Sequence, residues 1–293
     1  MNTRLWTIRE LLKVTTDYLC EKNITSPRLN AEVLLAHQLQ IDRLRLYLNL
    51  DKPLTEKEIS GYRALIKRRA ERCPLQYLTG TQEFWSLDLH VSPEVLIPRP
   101  ESEILIEQTV LRVNSLMDTN FGPQILDLGT GSGALAIAIA KEISTARVWA
   151  TDISQGALNV ARINAEKHRV SNRINFLHGD LWIPLENKGI AFDFILSNPP
   201  YVAPEEFSDL APEVRLFEPR LALDGLEDGM YYIEKIINEA YVFMNKGGFL
   251  FLEMAPGQTG KALQLISQLN AYCEDCRIRD YSNHYRVVTA KKA

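Results

Sequence analysis

Ile8, Leu11, Leu12 and Leu19, with Thr15 on the same line, recur at helical spacing and predict an amphipathic helix from Thr7 to Cys20. Ser26-Pro27 opens a second helix whose stripe reads Leu29, Val33, Leu34, Ala36 and Leu39. A shorter segment follows around Leu44 to Leu48, and a third helix runs from about Thr55 to Arg72, where Thr55-x-x-Glu58 fits a capping box. Cys73-Pro74 closes the run, because proline disfavours helix in the residue before it. Residues 1–80 therefore read as a small helical-bundle domain. Between residues 81 and 97 the period changes: Phe84, Leu87, Leu89, Val91 and Val95 alternate loosely with polar positions, as in a β-hairpin linker.

Ile97-Pro98-Arg99-Pro100-Glu101-Ser102-Glu103 then leads into a helix reaching about Val113, and residues 98–293 form a second domain. Beyond Gly122 strands and helices alternate: Gln124–Leu128, Ala134–Ile143, Val148–Thr151, Ser154–Lys167, Ile174–His178, Phe192–Ser197, Tyr231–Met244, Gly248–Met254, Lys261–Leu269, Arg277–Tyr281 and Tyr285–Ala290. That order predicts an α/β, Rossmann-like domain with a mainly parallel sheet. Its last two strands lack room for a crossover helix and are expected as an antiparallel edge hairpin.

Composition adds little beyond confirming a globular chain. Of 293 residues 46% are hydrophobic and 24% charged, which excludes a disordered or fibrous protein. The net charge of −4 is divided unevenly: residues 1–90 carry 14 basic and 11 acidic side chains, residues 91–293 carry 19 and 26. This balance argues against holding nucleic acid through bulk charge. The longest apolar run, Ala134 to Ala140, falls far short of a membrane span, and Met1–Glu10 lacks the apolar core of a secretory signal. The reading is a cytoplasmic protein without a membrane partner. Cys20, Cys73, Cys273 and Cys276 include one C-x-x-C without a second pair, which reads as reduced thiols rather than a metal site.

Candidate chemistry sits at strand ends. Gly129-Thr130-Gly131-Ser132-Gly133 follows the first strand of the sheet, where glycines permit a sharp turn and close approach to a ligand. Asp152, nineteen residues past Gly133 at the end of the next strand, is placed to accept from ribose hydroxyls. The turn alone fits either a nicotinamide cofactor or S-adenosyl-L-methionine. Asp127 tilts the choice, because a carboxylate there can receive a methionyl ammonium and repels a pyrophosphate. After the third strand, Asp180 is read as an acceptor for an adenine amino group and Trp182 as a cover for the ring.

After the fourth strand the chain reads Asn198-Pro199-Pro200-Tyr201. Two prolines remove two backbone donors and leave rigid carbonyl acceptors. The Asn198 oxygen and the Pro199 carbonyl can take the two hydrogens of a planar NH2 group, with Tyr201 stacked on it. An amide nitrogen is a poor nucleophile, and holding it in line with a sulfonium methyl supplies much of the rate.

These residues resemble the N5-glutamine methyltransferases that modify bacterial peptide chain release factors. The resemblance spans nearly the whole chain: Arg28 to Glu32, Pro74 to Gly80 with Glu83-Phe84-Trp85, Ile97 to Glu103, the glycine turn, the tetrapeptide, and Glu218-Pro219-Arg220-Leu221-Ala222-Leu223-Asp224-Gly225. It implies S-adenosyl-L-methionine as cofactor (product S-adenosyl-L-homocysteine), held by Gly129 to Gly133, Asp152, Trp182 and Asn198. It also implies the glutamine of the release-factor Gly-Gly-Gln loop as target, on Asn198 to Tyr201, and hence a part in translation termination. A sister group modifying a ribosomal protein differs around Ile97 to Glu103. The chain departs from the family at Glu253-Met254-Ala255-Pro256-Gly257-Gln258 and Ser282 to Arg286, which are expected to affect peripheral substrate contacts only.

Other readings predict different features. A DNA adenine methyltransferase, which shares the tetrapeptide, predicts a basic cleft for a flipped base. A binding module without turnover has no need of two fixed acceptors, and a dehydrogenase needs a proton-transfer residue that does not stand out. Arg63, Lys67, Arg68, Arg69 and Arg72 read as a solvated helix face, with docking of an acidic partner as the alternative. Val202 to Leu223, with five acidic residues and several prolines, reads as a substrate clamp.

Overall fold

The computed structural model describes residues 6–115 and 122–293; the first five residues of the Met1–Glu10 segment lie outside the described residues. The chain forms two units, one of Met1–Gly80 with Ala211–Phe217 and one of Thr81–Leu210 with Glu218–Ala293.

The first unit contains α1 (Ile8–Glu21), α2 (Pro27–Leu39), α3 (Arg43–Leu48), α4 (Glu56–Ala70), α5 (Leu75–Thr79) and the short helix Pro212–Phe217. Both α1 and α4 start at capping boxes, Thr7 with Glu10 and the expected Thr55 with Glu58. Helix α1 buries Ile8, Leu11, Leu12, Thr15 and Leu19, the stripe read from the sequence. In α2 the stripe is rotated from the expected one: Leu29 is exposed, whereas Asn30 and Glu32 are buried. Their polar groups have partners, which is what permits burial. Asn30 Nδ2 donates to the Thr25 and Ser26 carbonyls, and Glu32 accepts from Arg28, Arg43 and Tyr47.

The basic run of α4 is likewise not one solvated face. Arg69 is buried, donating from Nε to Asn30 Oδ1 and from Nη1 to the Cys73 carbonyl. Its Nη2 reaches Glu213 on the short helix at 2.9 Å. Part of the segment read as a substrate clamp, residues 211–217, thus packs within the helical unit, with Phe217 against its core.

The second unit opens on the hairpin β1 (Thr81–Phe84) and β2 (Leu87–His90), continues with α6 (Glu103–Ser115), β3 (Gln124–Leu128), α7 (Ala134–Glu142), β4 (Arg147–Asp152), α8 (Gln155–Lys167), β5 (Ile174–His178) and β6 (Phe192–Ser197). After the Pro212–Phe217 helix, counted as α9, come α10 (Tyr231–Phe243), β7 (Met244–Glu253), α11 (Thr259–Gln268), β8 (Tyr272–Arg279) and β9 (Tyr285–Lys292). The hairpin is not a linker: Phe84 and Leu89 are buried in the same core as α6 and α7.

The seven-stranded sheet has the order β5-β4-β3-β6-β7-β9-β8, parallel except where β9 runs antiparallel to both β7 and β8. The expected edge hairpin is present. Strand β8 begins earlier than expected and carries Cys273 and Cys276, both exposed; its edge position relieves it of the alternation that marks a buried strand. No group of His, Cys, Asp and Glu among the described residues could hold a metal ion, and no described helix is long and apolar enough to cross a membrane. The chain proceeds from β3 through β4 to β5 on one side and returns to β6 on the other, so a crevice opens between the carboxyl ends of β3 and β6.

Candidate active site

Leu128 and Ser197, the last residues of β3 and β6, are register partners, and Ser197 Oγ donates to the Leu128 carbonyl at 2.7 Å. The next residue on each strand opens a motif, Gly129 on one and Asn198 on the other. This register brings the glycine turn and the tetrapeptide to one cavity, whose wall includes Gly129, Thr130, Gly131, Ser132, Asp152, Asp180, Asn198, Pro199 and Pro200.

The turn has three glycines at positive φ with two different uses. A Cβ on Gly129 (φ +79) or Gly131 (φ +56) would meet nothing within 4 Å, so these positions leave open space at the cavity. Gly133 (φ +81) is absent from the wall; a Cβ there would lie 3.0 Å from Ile137 and 3.1 Å from Ala161. It serves the packing of α7 on α8. Asp127 also lies off the cavity wall, beneath the turn. Its Oδ2 accepts from Thr130 Oγ1 at 2.6 Å and from the Ala136 N–H, while Oδ1 has no hydrogen-bond partner, and burial pushes the carboxyl up to about 7. Asp152 accepts the Gly131 N–H on Oδ2 and the Ser154 N–H on Oδ1, each at 2.8 Å, which fixes its carboxylate at the cavity wall.

Asp180 lines the cavity 3.4 Å from Lys235. Trp182 does not, which corrects its reading as a ring cover. It is buried in the core and stacks on Phe243 with centroids 4.8 Å apart. Leu181, with φ 42, and Tyr232 stand in the wall instead. Apolar burial outweighs a polar handle here, since the indole Nε1 has no hydrogen-bond partner.

In the tetrapeptide Asn198, Pro199 and Pro200 face the cavity, whereas the Tyr201 ring packs against the core beneath. The expected stacking face is therefore not presented to the cavity, and burial pushes the phenol up to about 12, so it holds its proton. The Tyr201 backbone is tightly enclosed. A Cβ on Gly225 would come within 2.7 Å of Tyr201 Cα, and Gln258 Nε2 donates to the Tyr201 carbonyl at 2.9 Å. Val202 pairs with the Leu223–Gly225 strip through two backbone bonds of 2.9 Å.

Ser102, Glu253, Glu218, Arg99 and Gln258 support this site and are not among the residues read for it from the sequence. Ser102 Oγ accepts from Asn198 Nδ2 at 3.0 Å and donates to Glu253 Oε2 at 2.6 Å, with Glu253 buried at the end of β7. Glu218, also buried, accepts from the Ile97 N–H and from Arg99 Nη2, and Arg99 lines the cavity. Glu253 and Gln258 lie in the segment expected to matter only peripherally, yet one reaches the tetrapeptide through Ser102 and the other directly. For Ser102 and Glu218 the signal is membership of the motif segments Ile97 to Glu103 and Glu218 to Gly225; Glu253 carries no such signal, and its pairing with Ser102 across 151 residues is not legible.

A sheet of this order, with a glycine turn after β3 and an acceptor-lined tetrapeptide after β6, belongs to a methyltransferase. Residues 10–80 match the family model described as PrmC N-terminal domain, and residues 107–217 match the methyltransferase small domain. The chain is 39% identical to the release factor glutamine methyltransferase of Rhodopirellula baltica, over 100% of this chain and 98% of the relative. To that of Geobacter sulfurreducens it is 41% identical, over 97% of this chain and 96% of the relative. The chain belongs to the release factor glutamine methyltransferase family. Among solved structures, a methyltransferase from Pyrococcus furiosus shares the fold with a TM-score of 0.50 at 19% identity, over 80% of this chain and 99% of that one. The hMettl16 catalytic domain, solved with the MAT2A 3′UTR hairpin 6, does so with a TM-score of 0.56 at 14% identity, over 78% of this chain and 81% of that one.

Proposed function

We propose that this chain transfers the methyl group of S-adenosyl-L-methionine to the side-chain amide nitrogen (N5) of the glutamine in the Gly-Gly-Gln motif of peptide chain release factors, and thereby acts on translation termination. The observation that carries the reading is that the glycine turn and Asn198-Pro199-Pro200 open into one cavity. The open space at the Gly129 and Gly131 Cβ positions fits a ligand lying close against the backbone, with the Asp152 carboxylate beside it.

Gly129, Thr130, Gly131 and Ser132 would hold the methionyl part, Asp152 the ribose hydroxyls and Asp180 the adenine edge. Bound there, S-adenosyl-L-methionine supplies an electrophilic sulfonium methyl and leaves as S-adenosyl-L-homocysteine. Asn198 Oδ1 and the Pro199 carbonyl accept the two hydrogens of the target NH2, which orients the nitrogen toward the methyl group. The prolines offer no N–H to compete for that lone pair. The nitrogen's surplus proton leaves during or after transfer, to an acceptor or to water, and Tyr201, which holds its own proton, is not the base.

The test is incubation of the protein with labelled S-adenosyl-L-methionine and a release factor, a ribosomal-protein extract or duplex DNA, followed by peptide mass spectrometry. Label on the Gly-Gly-Gln glutamine is expected. Label on DNA or on a ribosomal protein, with none on release factor, overturns the assignment.

A further inference from the structure

We propose that Ser102 and, in its ionised form, Glu253 are positioning residues that fix which way the Asn198 carboxamide faces, so that its oxygen rather than its NH2 meets the target amide. The inference rests on the reading above in which Asn198 holds the glutamine. A carboxamide can rotate to exchange its oxygen and nitrogen, and the two faces are opposite in hydrogen-bonding sense. Presented to the glutamine NH2, the Asn198 NH2 would oppose donor to donor.

The geometry removes that choice. Ser102 has one hydroxyl hydrogen, and it is committed to Glu253 Oε2 at 2.6 Å. An ionised carboxylate can only accept, so Ser102 Oγ is left with lone pairs toward Asn198. It can accept from Asn198 Nδ2, as it does at 3.0 Å, and cannot donate to Oδ1. All three groups are tied to rigid elements: Glu253 ends β7, Ser102 closes the turn Pro100–Ser102, and Asn198 follows β6.

The relay carries its own pH dependence. Protonated, Glu253 would donate to Ser102 Oγ, freeing the hydroxyl hydrogen for Asn198 Oδ1 and permitting the unproductive face. The groups around Glu253 are Ser102 and Glu101 on the turn, Arg99 before it, Arg286 on β9 and Tyr201 after β6. Burial, the largest influence, and Glu101 raise the Glu253 carboxyl, Ser102, Arg286 and Arg99 oppose them, and the result is pushed up to about 7. The acid limb of turnover is therefore expected near neutral pH rather than near that of a free glutamate.

The experiment uses the full chain with S-adenosyl-L-methionine and a release factor, and compares Asn198→Ala, Ser102→Ala, Ser102→Thr and Glu253→Gln. Measured are kcat, both KM values, cofactor affinity by calorimetry and the pH profile of kcat. Ser102→Ala should lower kcat about 10-fold or more with cofactor affinity within about 2-fold, and Ser102→Thr, which restores the hydroxyl, should recover it. Glu253→Gln should lower kcat and abolish the acid limb while leaving the protein at least as heat-stable at pH 8, which separates loss of function from loss of fold. Turnover that survives Asn198→Ala sinks the reading of the site itself. Turnover lost in Asn198→Ala but unchanged in Ser102→Ala, or an acid limb retained in Glu253→Gln, overturns the relay alone.

Discussion

Arg69 Nη2 and Glu213 Oε1 lie 2.9 Å apart although 144 residues separate them, and the arginine side chain is only 6% exposed. The pair fastens the Pro212–Phe217 helix within the helical unit. Glu213→Ala leaves Arg69 buried with one partner fewer, a change that costs about 3 kcal/mol. Hydrogen exchange should show faster opening of residues 211–217, and thermal unfolding a lower Tm. Arg69 and Arg72 hold the Glu213 carboxyl below its ordinary value, against the opposing influence of burial. The contribution is therefore present above the ordinary glutamate range and is lost as pH falls through the depressed value.

Gly131→Ala and Gly133→Ala should fail differently. Both place a side chain at positive φ, worth about 1 kcal/mol of strain. Gly131 opens on the cavity, so its variant should lose S-adenosyl-L-methionine affinity by calorimetry out of proportion to its loss of Tm. Gly133 faces Ile137 and Ala161, so its variant should lose Tm first.

Trp182→Ala removes a buried ring stacked on Phe243, and such a truncation costs about 3–5 kcal/mol in chemical denaturation. Trp182→Phe should preserve the stack and leave cofactor affinity unchanged. Asp180→Asn should do the reverse, lowering affinity with little effect on stability. A large loss of affinity in Trp182→Phe would restore the indole to the site.

Asp127 and Glu253 both have carboxyls pushed up to about 7 by burial. The native state then holds protons that the unfolded chain has already released, so stability falls as pH rises from the ordinary carboxylate range to about 7 and levels off above it. Each group contributes on the order of 3 kcal/mol to that fall. Denaturant midpoints measured across this range should decline in the wild type and decline less in Glu253→Gln.

Much of this architecture is written locally. The α1 stripe and the Thr55–Glu58 box stand where periodicity and capping residues put them, because each depends on neighbours within a few positions, and β3, β5 and β6 fall on the expected residues. Elements governed by distant partners depart from the local pattern. Helix α2 turns Asn30 inward because Arg69 supplies a partner, and the hairpin β1–β2 joins the second unit because Phe84 and Leu89 find its core.

The site divides the same way. By itself the sequence determined the strand–turn–helix at Gly129 to Gly133, the acceptor-only character of Pro199 and Pro200 and the family to which they belong, since glycine and proline act through their own backbone geometry. Only the tertiary structure decided that Leu128 pairs with Ser197, that Trp182 is core, and that Ser102 stands between Asn198 and Glu253. Those are outcomes of register, burial and the matching of donors to acceptors, which exist only once remote segments of the chain are brought together.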